Sequence, residues 1–149
     1  MNFSYLATPY SVSTSLSAHQ ATILRDVRYR KACRMAAELM KAGELIYCPI
    51  AHSHSIEQKG MFGEVNSGDF WLRQDFAILQ HAKELLVFMM SGWENSKGVA
   101  QEIKFAQDLN IPIRYLEDVS FSMKKPGVSE GNRRRRKSTA GNPAFTEVR

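Results

Sequence analysis

The sequence predicts an α/β fold: a Rossmann-like, flavodoxin-like three-layer sandwich around a parallel sheet of four to five strands. Two observations lead there. Short apolar runs alternate with segments whose apolar residues recur at helical spacing, giving the order βαβαβαβ, and such alternation implies right-handed crossovers. In addition, residues 84–88 form a nearly continuous apolar run, as expected of a sheet centre covered on both faces.

Taken in order, residues 3–7 read as a first strand, because Pro9 follows and proline ends strand pairing. The Ser/Thr-rich residues 8–20 read as a loop. A long amphipathic helix is expected over about 21–42, with Ile23, Val27, Ala32 or Cys33, Met35 or Ala36, and Leu39 or Met40 on one face and Gly43 as its stop. Residues 45–48 form a second strand, halted by Pro49. Residues 51–67 are polar, lack clear periodicity and read as a loop long enough to be a lid or a disordered segment. A helix over 69–82, capped by Ser67 or Asp69, leads to the third strand. A turn over 91–96, a helix over 97–110 and a strand over 111–116 complete the pattern.

Composition bounds the function classes. The 149 residues suffice for one domain with an appendage, and 44% hydrophobic content is ordinary for a globular protein. No apolar stretch approaches the ~20 residues of a membrane helix. Met1 runs straight into a strand without a leader pattern, so a cytoplasmic location is expected. Cys33 and Cys48 are expected as reduced core thiols. The net charge of +5 divides unevenly: residues 120–149 carry eight Lys/Arg against Glu130 and Glu147, leaving −1 for residues 1–119. The chain therefore reads as a domain over 1–119 and a basic, disordered tail over 120–149, whose Arg133 to Arg136 run could touch a polyanion.

Two carboxylates fall where apolar residues belong. On a wheel of about 100° per residue, Val99, Ile103, Ala106 and Leu109 form a stripe that includes Glu102. Around Asp75 lie Trp71, Leu72, Phe76, Ile78, Leu79 and Ala82. A buried carboxylate needs a donor or keeps its proton, so this pair suggests acid/base or nucleophilic chemistry. Capping, dipole effects or an Arg partner would explain either residue alone. In parallel sheets ligands bind at the carboxyl ends of the strands, here near residues 8–11, from 49 onward, and 89–98. Ser96, Lys97 and Gly98 start the helix of Glu102 and suit an anionic oxygen, although Ser96 as a plain N-cap explains the same residues. There is no GxGxxG or GxxxxGK[ST] motif. His52-Ser53-His54 lacks companions at metal-ligand spacing, so no metal is expected and His52 is assigned to substrate contact. Trp71 is expected in the core and Trp93 against a ligand.

On Tyr5 to Ser11, Trp71 with Asp75, and Ser96, Gly98, Val99 and Glu102, the chain resembles the nucleoside 2-deoxyribosyltransferase superfamily, within it a group known as an uncharacterised domain family. The resemblance covers most of residues 3–116. It implies Glu102 as nucleophile, Asp75 as general acid or orienting group, and Tyr5 as the residue positioning Glu102. Transferases of the superfamily carry aspartate where this chain has Ser96, whereas its deoxynucleoside 5′-monophosphate N-glycosidases carry serine that contacts phosphate. Ser96 therefore implies a nucleotide, with Ser11 and Lys97 as further phosphate contacts, no cofactor, and a homodimer or higher homo-oligomer. Two other classes stay open: a nucleotide-binding sensor without turnover, and a nucleic-acid-associated protein acting through its tail.

Overall fold

The computed structural model describes residues 2–60 and 68–118. Four strands, β1 (Ser4–Ala7), β2 (Ile46–Tyr47), β3 (Glu84–Met89) and β4 (Ile113–Glu117), form one all-parallel sheet in the order β2-β1-β3-β4. Strand order reverses between β1 and β3, which pair from Ser4↔Glu84 to Ala7↔Val87. Four helices, α1 (Ala18–Lys41), α2 (Pro49–Gly60), α3 (Gly68–Leu79) and α4 (Lys97–Asp108), complete the expected α/β architecture. Residues 61–67, including the proposed cap Ser67, and the tail over 120–149 lie outside the described residues. Among those described, no helix is long and apolar enough to cross a membrane.

Period-two alternation of the central strands divides the core. Tyr5, Ala7, Leu85 and Val87 pack with Leu79 of α3 and with Val99 and Ala106 of α4. Leu6, Leu86 and Phe88 face the other way, onto Ala32 and Ala36 of α1 and Cys48. All the members of these two sets are buried, so β1 and β3 have no solvent face.

Several boundaries move for identifiable reasons. α1 begins at Ala18, not Ala21, because Ser17 and Gln20 form a capping box: Gln20 N donates to Ser17 Oγ at 3.2 Å and Ser17 N to Gln20 Oε1 at 3.1 Å. β4 starts at Ile113, not Ile111, since Asn110 takes a left-handed turn (φ 54°) and Pro112 lacks an N–H. α3 stops at Leu79 and α4 at Asp108; Leu109, placed on the buried stripe by the wheel, is an exposed C-cap.

Two differences bear on function. Residues 49–60, of which 51–60 read as loop, form α2, opened by Pro49 at the first helical position where a missing N–H costs nothing. Its buried positions are Pro49, Ser53 and His54, and only Ile50 and Ala51 at its start pack on the core, so no apolar period runs along its inward face. α1 also faces differently from expectation along its first half. Its 24 residues span about 36 Å, whereas the four residues of β1 span about 13 Å. The helix overhangs the carboxyl edge of the sheet, leaving Ile23 and Val27 51% and 44% exposed, while Arg28 lies against the loop after β1.

This assignment of faces is testable by denaturant unfolding. Ala32→Leu should cost about 1–3 kcal/mol by overpacking the contact with Leu6 and Leu86. Val27→Lys should change stability by less than about 0.5 kcal/mol.

Candidate active site

The site sits at the carboxyl edge of the sheet, where strand order reverses. After β3, Gly92 adopts φ 88° and turns the chain into a single 3-10 turn, Trp93–Asn95. Ser96 then caps α4, accepting from Val99 N at 3.4 Å. The cap fixes where the helix starts and hence which side chains face inward: Val99, Glu102 and Ala106.

Glu102 is 5% exposed, and its Oε1 accepts a 2.7 Å hydrogen bond from the Tyr5 hydroxyl, reaching across from the fully buried β1. Burial pushes the Glu102 carboxyl up to about 8; the Tyr5 bond acts in the opposite direction, and the charge of Asp75 adds to the rise. Asp75, on α3, is pushed up to about 7 by its own burial. Tyr5 is held well above its ordinary value by burial, then by the charges of Glu102 and Asp75. Tyr47 rises to about 12 through burial and Asp75. Two coupled carboxyl groups and two phenols thus share one region, and it retains protons at pH values where free carboxyl groups have lost them.

A cleft of about 1020 Å³ opens above Glu102 and Asp75. Thr8, Tyr10 and Ser11 line it from the loop after β1, and Gly92, Asn95 and Ser96 from the loop after β3. Lys97 and Gly98 contribute from the start of α4, and Arg28 from α1. A smaller hollow of about 210 Å³ adjoins it, with Ser53, Trp71 and Asp75 lining both. Its own walls include Tyr47, His52, Phe70 and Gln74.

Glu102, Asp75, Ser11, Ser96, Lys97 and Gly98 therefore line one cleft, with Tyr5 bonded beneath Glu102. His52 lies in the smaller hollow beside Asp75. Trp93, expected against a ligand, packs with Tyr115 at 5.8 Å and with the core instead, because the 3-10 turn rotates it back over the sheet edge. Trp71, expected in the core, lines both cavities. The His52-Ser53-His54 run is helical, so its rings diverge: His52 is exposed, while His54 is buried. His54 stacks on Tyr29 at 4.1 Å and pairs through Nδ1 with the Tyr10 hydroxyl at 2.8 Å. Burial lowers its pKa. Thr8, Tyr10 and Asn95 line the cleft from the strand-end segments expected to meet a ligand and Glu57 from the stretch after Pro49, though none was singled out, whereas Arg28 lies outside all of these segments. Thr8 and Tyr10 had a signal in their place at a strand end; Arg28 had none.

The family described as a domain of unknown function (DUF1937) matches residues 2–117. The chain belongs to that family. A comparison with curated proteins found no match. The DUF1937 segment contains every residue placed in the cleft above.

The raised carboxyl groups have a consequence for stability. Their ordinary values are 4.5 for Glu102 and 3.8 for Asp75, against about 8 and about 7 in the folded protein. Between those limits the folded state binds more protons, so the stability they contribute is full at acid pH and is lost as pH rises through about 7 and 8. Glu102→Gln should therefore raise Tm relative to wild type at about pH 9 and leave it nearly unchanged at about pH 4.5. A Tm difference independent of pH would show that Glu102 titrates normally.

Proposed function

We propose that this protein cleaves the N-glycosidic bond of a (deoxy)nucleoside 5′-monophosphate, as a hydrolase or by transfer to a second base, with Glu102 as nucleophile. The observation carrying this reading is the Tyr5–Glu102 hydrogen bond beneath a cleft that also holds Asp75. A carboxylate buried at a cavity floor, oriented by a phenol and coupled to a second carboxyl, suits attack on a centre that gains positive charge.

In the proposed reaction a Glu102 carboxylate oxygen bonds to the anomeric carbon as the carbon–nitrogen bond breaks. The electron pair leaves on the base nitrogen, which takes the proton of the Asp75 carboxyl. Water then attacks the anomeric carbon, the bond to Glu102 breaks, and Asp75 accepts the proton from water. The net products are free base and sugar phosphate; a second base in place of water gives transfer. Asp75, raised to about 7, retains a proton to donate near neutral pH. The aromatic hollow beside Asp75 is of a size and character to take a planar base, leaving the larger cleft for sugar and phosphate. The chemistry asks for no metal or redox cofactor.

Incubation with a panel of nucleoside 5′-monophosphates, followed by chromatography of free base, is the test. Wild type should release base, with kcat/KM passing through a maximum between about 7 and about 8, rising as Glu102 ionises and falling as Asp75 loses the proton it donates. Glu102→Gln should lower kcat at least about 10³-fold. Absence of base release from every nucleotide, or equal release by Glu102→Gln, would overturn the proposal.

A further inference from the structure

Among the described residues, two buried side-chain polar atoms have no hydrogen-bond partner: Thr8 Oγ1 and Arg28 Nε. Both residues line the large cleft. Buried polar groups are normally paired, so two orphan atoms on residues that line one cavity point to partners that the protein does not itself supply.

The Arg28 guanidinium is fixed in place before any ligand arrives. Its Nη1 donates to the carbonyl of Ser11 and, at 3.4 Å, to that of Tyr10, tying α1 to the loop after β1. Its Nη2 lies over Gly92, where an added Cβ would stand 2.6 Å away. Gly92 thus serves two needs at once: φ 88° for the turn and room for the guanidinium. Held on these sides, the group has its Nε edge left over. Among the described residues no carboxylate pairs with it, although Glu57 and Asp69 line the same cleft. Burial lowers the Arg28 pKa, so its charge is held at a cost that an anion would offset.

We propose that Arg28 and Thr8 form a phosphate subsite, and that Arg28 is the residue by which the cleft selects a nucleoside 5′-monophosphate over the corresponding nucleoside. This rests on the nucleotide reading above and names a determinant of it. A phosphate monoester presents three oxygens to donors from several directions. The guanidinium edge and the Thr8 hydroxyl supply two of these; Ser96 and Lys97, across the Gly92 turn, stand at the same cleft. Arg28 is a binding residue in this scheme and takes no part in bond cleavage.

Calorimetry on the full chain with three probes tests it: a nucleoside 5′-monophosphate, the matching nucleoside and inorganic phosphate. Arg28→Gln should weaken nucleotide binding about 10- to 100-fold and abolish inorganic phosphate binding, while nucleoside affinity stays within about twofold. Thr8→Val, which keeps the shape, should weaken the nucleotide selectively and to a lesser degree. Gly92→Ala should reproduce the Arg28→Gln pattern by displacing the guanidinium. Tm of each variant separates this from unfolding. Equal losses for nucleotide and nucleoside would assign Arg28 to loop packing alone and overturn the inference, as would wild type that binds neither nucleotide nor phosphate. Arg28-dependent nucleotide binding without base release would uphold the subsite and sink the glycosidase reading.

Discussion

The Tyr5–Glu102 hydrogen bond is the constraint around which the fold is arranged. A carboxyl group 5% exposed within a sheet-and-helix core cannot be left without a donor. Tyr5 supplies that donor from the centre of the sheet, at 2.7 Å. For the bond to form, α4 must start in one register, which the Gly92 turn and the Ser96 cap set. Tyr5 must also point to the α3/α4 face, which the pairing of β1 with β3 sets. One phenol does not fully offset the loss of hydration, and the carboxyl rises to about 8. Stabilising this interior and equipping it for proton and bond transfer are therefore opposed demands.

The elements that look least like core are those that build the cleft. α1 is far longer than the strands it crosses, and its overhanging half carries Arg28 to the strand ends. α2 turns Ser53 and His54 inward, where a core helix would turn aliphatic side chains. His54, stacked on Tyr29 and bonded to Tyr10, braces the loop after β1 from the far side. At the opposite end of the sheet, Glu84 is satisfied by Ser4 and Arg114, a polar group placed for structure, and its pKa is lowered accordingly. The two ends of one sheet thus treat a carboxylate in opposite ways.

How much of this was legible in the sequence follows the same division. The parallel α/β architecture could be read because β1, β3 and the stripe of α4 carry strong periodicities, and Glu102 stood out as a carboxylate within such a stripe. Asp75 stood out likewise on α3. α2 was not legible, because only Ile50 and Ala51 at its start pack on the core while Ser53 and His54 take the inward positions after them, leaving no apolar period. Ile23 and Val27 misled for a related reason: their spacing matches a core face, but the sheet ends before they reach it. Trp93 and Trp71 exchanged places because a 3-10 turn, invisible to periodicity, sets the direction of the first. Arg28 left no trace at all, since its role depends on Gly92, distant in sequence and adjacent in space.

The most direct measurement is a carboxyl titration of Glu102 by isotope-edited infrared or carbon NMR spectroscopy, with the signal assigned by its loss in Glu102→Gln, in wild type and in Tyr5→Phe. The midpoint should lie at about 8 in wild type and higher in Tyr5→Phe, because the phenol favours the ionised form. A wild-type midpoint near the ordinary 4.5, or one that Tyr5→Phe leaves unmoved, would contradict this.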